Sequence, residues 1–296
     1  MPVLLLFCAV LFWSGHNVVA KGMIPYVPPL SFTFVRWLLA LLIILPFSWS
    51  FIRNDWAIAK KYWKRLLLIA VTGISAFNTF LYIALQTTSA VNVGLISSIL
   101  PVTIAFFSFL ILNIKLKKHQ FLAMVFCFIG VIVIIFRGDI SFLTRLVFVE
   151  GDLWMLAAVF CGALYPVLLH EQPDIHGFSL LTILILLGML ESFPLFLIDI
   201  YMGHYIQMNQ QVIVGFLYIS IFPSLLSYMC WNRGIEMVGA NRAGLYLNLV
   251  PILTALMAYL FIDESISWYH FAGLIMIISG MFLFNLQNLY IRHDRR

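Results

Sequence analysis

The chain has 296 residues, 63% of them hydrophobic and only 10% charged, with a mean hydropathy of +1.04. A soluble domain needs roughly a quarter of its residues charged to cover its surface, so this composition excludes an ordinary soluble fold. The formal net charge of +5 invites a nucleic-acid reading, which the placement of the charges rejects below.

Hydrocarbon offers no water to a backbone amide, so only helices and closed barrels cross it, and a crossing helix needs about 20 apolar residues. Ten such runs follow one another, at roughly 3–22, 30–50, 66–86, 91–112, 120–137, 152–170, 178–198, 211–232, 240–262 and 268–290. Barrel strands would alternate and be about half that length. The predicted fold class is therefore an all-α membrane protein with ten transmembrane helices and only short connections.

In chain order, the first span places Trp13, His16 and Asn17 on one face. It has no basic leading segment, and His16 and Asn17 interrupt its apolar core, so a cleaved signal peptide is not expected. The second carries Arg36 two turns in, a charge expected to snorkel to the interface or to pair. The third sets Asn78 and Tyr82 four apart, on one face. The fourth repeats Ala90, Gly94 and Ser98 at four-residue spacing, a smooth face for ordinary helix packing or for two mobile helices to pass. Pro101 then interrupts its backbone bonding. The fifth and tenth spans are apolar nearly all round and read as peripheral.

Tyr165 stands on the sixth span, and Glu191 lies near the middle of the seventh, three residues before Pro194. The eighth carries Tyr228 and Asn232. The ninth carries Ala240, Gly244, Tyr246, Asn248 and Pro251. The four cysteines lie inside spans without Cys-x-x-Cys spacing, so neither a zinc site nor a disulfide framework is suggested, and no cofactor or metal is expected.

The chain also repeats itself. At an offset of 148, Phe12 matches Phe160, Pro25 matches Pro173 and Pro46 matches Pro194. At an offset of 150, Ala90 matches Ala240, Gly94 Gly244, Pro101 Pro251 and Gly130 Gly280. The predicted units are 1–146 and 147–296, five helices each. Five is odd, so the second unit enters the bilayer upside down. Loop charges agree. The inner loops and C-terminal tail hold Arg53, Lys60, Lys61, Lys64, Arg65, Lys115, Lys117, Lys118, Arg233, Arg242, Arg292, Arg295 and Arg296, which is 13 of the 17 Lys and Arg. This is the positive-inside bias, with both termini cytoplasmic. It marks topology in a bacterial inner or plasma membrane rather than a nucleic-acid patch.

Several segments carry a family likeness. The first span reads Phe12-Trp13-Ser14-Gly15-His16-Asn17; the second begins Pro29-Leu30 and leads to Arg36; the third-to-fourth connection runs from Tyr82 through Gln86-Thr87-Thr88-Ser89-Ala90. Together, in this order and spacing, they resemble the EamA-like ten-helix permeases of the drug/metabolite transporter superfamily. The likeness implies two inverted five-helix repeats and the movement of amino acids or similar metabolites, often exported. One departure stands out. Members commonly carry an acidic residue about thirteen positions after each repeat-related proline; Glu264 fits after Pro251, but the first half has Ile114.

Inverted repeats place a substrate site near the midplane between the halves. The residues expected to line it are Trp13, His16, Asn17, Asn78, Tyr82, Ser98, Tyr165, Tyr228, Asn232, Tyr246 and Asn248, because uncompensated polar groups in hydrocarbon cost roughly 2–7 kcal/mol and must face a cavity or a partner. Interhelical hydrogen bonding is the competing reading for each. The lining helices are expected to be the first, third, fourth, sixth, eighth and ninth. Pro101 and Pro251 are candidate gating kinks. Glu191 and His16 are candidates for proton coupling, with a structural role for Glu191 equally open. The scarcity of Arg and Lys within spans argues against phosphorylated solutes, while an aromatic cavity would also take hydrophobic or cationic drugs. An enzyme is not expected: the histidines of His170-Glu171-Gln172-Pro173-Asp174-Ile175-His176 are six apart rather than four, and Pro173 breaks the helix a zinc motif requires. The expected partners are a small-molecule substrate and the lipid bilayer, with the protein a monomer or homodimer.

Overall fold

A computed structural model describes residues 2–114, 117–139, 149–170, 173–238 and 245–290, except for the side chains of Asn232, Ile235, Glu236, Val238, Leu245, Asn248 and 285–290. All regular structure among the described residues is helical. The helices are α1 (Pro2–Met23), α2 (Pro29–Lys61), α3 (Trp63–Thr87), α4 in two pieces (Ala90–Ser97 and Leu100–Leu112), α5 (Lys118–Ile135), α6 (Glu150–Leu169) and α7 (Gly177–Tyr201). Then come α8 in continuous pieces (Gln210–Ile221, Phe222–Leu226 and Ser227–Val238), α9 (Leu249–Ile262, led in by the tight turn Leu245–Asn248) and α10 (Trp268–Tyr290). Seven helices are long and apolar enough to cross a membrane, or eight with the bent α4 counted as one span. The apolar parts of α9 and α10 are shorter among the described residues, so the expected count of ten is not reached on length alone.

The outer shell is what hydrocarbon would solvate. Phe47, Trp49, Phe121, Phe261, Ile275 and Phe282 all point outward, exposed, a density of apolar surface that a water-soluble monomer does not carry.

Pairs of helices flank a central group. α5 and α10 run antiparallel at very close range: a Cβ on Gly130 would meet the Gly273 carbonyl at 2.8 Å, and one on Gly280 would meet the Ala123 carbonyl at 2.8 Å. These two contacts exchange under the 150-residue offset, as expected of repeat-related helices crossing on a two-fold axis. Cys127 Sγ touches the Ile277 carbonyl at 3.5 Å, again 150 residues away, which gives this cysteine a packing role. α2 and α7 also run antiparallel. At one end the Ser31 amide and hydroxyl donate to Asp199, at 2.7 and 2.8 Å; at the other the His176 amide donates to Asp55 at 2.9 Å.

Two local departures from α-geometry shape the centre. α3 widens into a π-turn at Val71–Ala76 and α8 into another at Phe222–Leu226, positions that correspond under the same offset. The third departure is the break in α4, whose two pieces meet at 40°. Pro101 has no N–H for the Ser97 carbonyl, and its ring crowds that turn. The helix therefore breaks at Ser98–Ile99, and the second piece starts with the proline in its first turn. Gly94, on the piece before the break, lies against Thr254 of α9, where a Cβ would sit at 2.9 Å. Of the small residues expected on the facing stretch, Ala240 and Gly244 lie outside the described residues.

Candidate functional site

A cavity of about 1000 Å³ lies among the central helices. Trp13, His16 and Asn17 of α1 line it, with Ser97, Ser98 and Pro101 at the break in α4, Tyr165 of α6, and Tyr228 and Trp231 of α8. α7 contributes Gly177, Phe178, Leu181 and Leu184, and α10 contributes Met281. These two helices were not among those expected to line a cavity. The α7 residues belong to its first two turns, at the end of the bundle where that helix begins.

That end is the basic one. The cavity reaches Leu169, the exposed His176 and Gly177, and Arg65 donates to the Leu168 carbonyl beside them at 3.4 Å. The opposite end is closed by polar contacts between helix termini. Lys21 Nζ donates to the Leu85 and Thr88 carbonyls at 2.7 and 2.6 Å, covering the end of α3. Glu264 accepts the first two amides of α4, Ala90 and Val91, at 2.9 and 3.0 Å. Asp152 of α6 accepts from the Thr88 hydroxyl and from Asn92 Nδ2 at 3.0 Å, and Asn92 Oδ1 lies 3.1 Å from His270 Nε2. Six segments thus converge on the closed end.

Behind the cavity wall stands the main polar assembly of the interior, centred on Arg36. The residue is only 4% exposed, so it does not snorkel. Its Nε donates to Ser224 Oγ at 2.9 Å. Its Nη1 donates to Asn78 Oδ1 at 2.5 Å and Tyr82 Oη at 2.9 Å, and lies 3.0 Å from His16 Nε2. A guanidinium can only donate, and the two hydrogens of Nη1 are shared among three neighbouring atoms, with His16 Nε2 also 2.9 Å from Tyr82 Oη. All four partners of Arg36 are neutral groups, drawn from α1, α3 and α8.

The expected site residues therefore separate. Trp13, His16, Asn17, Ser98, Tyr165 and Tyr228 line the cavity, as does Pro101. Asn78 and Tyr82 stand one layer back, fully buried against Arg36. Tyr246 and Pro251 are not in the wall, although Leu247 and Val250 beside them are. The side chains of Asn232 and Asn248 lie outside the described residues. Glu191 is also off the cavity: its Oε2 accepts from Ser75 in the π-turn of α3 at 2.7 Å, while Oε1 is buried without a hydrogen bond. Trp13 anchors the aromatic side of the wall, with its indole donating to the Pro223 carbonyl at 3.2 Å and its ring 5.9 Å from Tyr228 and 5.3 Å from Trp231.

Sequence reasoning missed Ser224, which looks like any small residue in an apolar helix. It also missed the closed-end set of Lys21, Thr88, Asn92, Asp152 and His270. The available signal for that set was the clustering of polar residues at span ends, which ordinarily marks only the interface.

Comparison with known proteins agrees with this architecture. The model of the EamA-like transporter family matches residues 1–136 and again 149–286. The uncharacterised transporter YyaM of Bacillus subtilis is 28% identical over 279 residues, covering 92% of this chain and 89% of its own. An uncharacterised transporter of Archaeoglobus fulgidus is 26% identical over 95% of this chain and 96% of its own. Protein PecM of Dickeya dadantii is 24% identical over 98% and 94%. A chain in a solved crystal structure superposes with a TM-score of 0.64 at 16% identity, over 97% of this chain and 98% of that one, which shows a shared fold. With a two-fold family match across nearly its whole length and a helical membrane architecture to go with it, the chain belongs to the EamA-like transporter family.

Proposed function

We propose that this transporter moves a small organic metabolite, an amino acid or related compound, out of the cell by alternating access. The observation that carries the reading is the one-ended cavity. It is walled by helices from both repeats and shut at the far end by contacts between helix termini. Its volume lies at the upper end of the range for small-molecule sites, roughly 300–1000 Å³. The full proposal has ten spans in two inverted units, 1–146 and 147–296, with both termini cytoplasmic. The basic loops then put the open end on the cytoplasmic side, where a carrier of the plasma or bacterial inner membrane would collect a solute for export. Breaking the closed-end contacts while closing the basic end would give the opposite state, with the bend at Pro101 and its repeat partner Pro251 as the gating positions.

Proton coupling belongs to the same proposal. Of the two candidates, His16 is favoured because it is in the cavity wall, whereas Glu191 faces Ser75. A proton on His16 Nε2 would point at Arg36 and disrupt the assembly behind the wall, a direct link between protonation and site shape. The second reading, a broad exporter of hydrophobic or cationic drugs, is supported by Trp13, Tyr165, Tyr228 and Trp231 in the wall.

The test is solute flux in proteoliposomes of the purified protein, monomer or homodimer as it elutes. Amino acids should move and accumulate against an imposed pH gradient, and His16→Gln should abolish that pH dependence. Movement of organic cations with no amino-acid flux selects the second reading. Solute conversion in detergent with no flux would overturn both.

A further inference from the structure

We propose that the basic end of α2, together with the start of α3, is a docking surface for anionic phospholipid headgroups in the leaflet at that end of the bundle. It holds whichever solute the cavity carries.

Length places this segment. Ser31 and Asp55 of α2 are tied to the two ends of α7, through Asp199 and the His176 amide. They stand about 36 Å apart at 1.5 Å per residue, against a hydrocarbon core about 30 Å thick. The hydrocarbon therefore ends close to Asp55, yet α2 runs on as helix to Lys61. α3 begins at Trp63, so Tyr62 alone separates the two helices. Residues 53–65 stand at the level of the headgroups and just beyond it.

The faces of α2 divide cleanly there. At 100° per residue, Trp49, Arg53, Trp56 and Lys60 fall within about 60° of one another, and all four are exposed. Leu42, on the same stripe and also exposed, continues it into the hydrocarbon. One line along the outward side thus runs from apolar to alternating aromatic and basic. The other side faces protein: Phe51 stacks on His176 with ring centroids 4.1 Å apart, Asp55 accepts the His176 amide, and Ala59 is buried.

Charge then selects the partner. Arg53, Lys60, Lys61 and Lys64 are exposed, and none forms an ion pair among the described residues. Lys61 and Lys64 lie instead over the rings of Tyr62 and Trp63, at 5.6 and 5.8 Å. The one acidic residue in 51–65, Asp55, is engaged by α7. The positive-inside bias accounts for the sign of this charge. It does not account for a helix that carries the charge past the hydrocarbon, on the outward side, with tryptophans between the cations. Interfacial Trp rings sit at the headgroup level, and each nearby Lys or Arg strengthens attraction to an anionic leaflet roughly fivefold. A zwitterionic headgroup carries its own cation beside the phosphate and gains little from these residues. His176, stacked on Phe51, also lines the cavity, so a lipid docked here lies beside the cavity mouth.

The experiment titrates the purified full-length protein in detergent with phosphatidylglycerol or phosphatidylcholine of identical acyl chains and reads bound lipid by native mass spectrometry. Phosphatidylglycerol should bind roughly tenfold more tightly or better, and the preference should fade as salt is raised. The triple variant Arg53→Gln, Lys60→Gln, Lys64→Gln should lose the preference, while Lys117→Gln with Lys118→Gln, exposed basic residues at the start of α5, should keep it. Equal binding of the two lipids overturns the assignment, as does a preference that survives the triple variant. An equal loss in the α5 variant overturns it in favour of the diffuse charge of the whole end. Displacement of the lipid by inorganic phosphate, or by polyglutamate at equal charge, overturns it in favour of a free anion or an acidic protein. Should the triple variant not purify, Arg53→Gln and Lys60→Gln singly should each lower the preference severalfold, and no change in either overturns the surface.

Discussion

Replacing Glu264 with Gln should unlock the closed end of the cavity. Glu264 accepts the Ala90 and Val91 amides at 2.9 and 3.0 Å, two of the four donors that the start of an α-helix leaves unsatisfied. Its negative charge also sits at the positive end of the α4 dipole. Gln keeps one acceptor oxygen and loses the charge and the second bond. A hydrogen bond to a charged group contributes about 1.5–3 kcal/mol; because Glu264 is only half-buried, about 2 kcal/mol is a fair value for the loss. This contact joins the α9–α10 connection to α4, and under the proposed alternating access it is made only while that end is shut. The open-to-closed ratio at that end should then rise roughly 30-fold. The assay is maleimide labelling of a thiol at Ala20, fully buried near that end, in a protein whose Cys8, Cys127, Cys161 and Cys230 have been replaced. The labelling rate should rise by roughly that factor, while a control thiol at Ala40, buried in the α2–α7 region, keeps its rate. A rate at Ala20 that changes less than twofold, or a parallel rise at Ala40, would refute the reasoning.

Three other predictions follow from contacts already described. Ser224→Ala leaves Arg36 Nε buried without its acceptor, at a cost of about 1–3 kcal/mol; the melting temperature in detergent should fall, and Ser224→Thr should restore most of it. Gly130→Ala forces a Cβ against the Gly273 carbonyl at 2.8 Å, a backbone atom that cannot swing away. It should cost about 1–3 kcal/mol, whereas Gly177→Ala, with nothing within 4 Å, should leave the melting temperature unchanged or raise it. Replacing Pro101 and Pro251 together with Ala should slow solute flux severalfold without lowering the melting temperature; unchanged flux would remove the gating role of the two prolines.

The spans were legible because the bilayer imposes a length and a composition that no other environment asks for. The repeat was legible through its prolines and glycines, whose positions geometry restricts. Trp13, His16, Asn17, Tyr165 and Tyr228 could be assigned to the cavity wall from helix faces and symmetry-related positions. The same reasoning placed Asn78 and Tyr82 one layer too far forward, since periodicity gives the direction a side chain takes from its helix and not what stands in front of it. Arg36 was undervalued for a different reason. Its surroundings are assembled from α1, α3 and α8, and nothing near it in sequence announces them. Glu191 looked exceptional as a mid-span carboxylate, yet its partner Ser75 sits in a π-turn that the hydropathy of α3 does not reveal.

Those π-turns have a consequence for how much variation the two helices can absorb. At 100° per residue, an unbroken α-helix would set Leu66 and Tyr82 about 160° apart, on opposite sides of α3, yet both are fully buried. The wide turn at Val71–Ala76 advances less per residue and so resets the angular phase between the two halves. It also frees the Ile74 carbonyl to accept Trp37 and Asn78, as the corresponding turn in α8 frees that of Pro223 for Trp13. Deleting one residue within 71–76 would rotate everything beyond it by about 100°, carrying Asn78 and Tyr82 off Arg36 while leaving each half-helix intact. At these two places the number of residues is constrained as well as the identity of Gly73, Ser75 and Ser224, and homologues should not tolerate a change of length there.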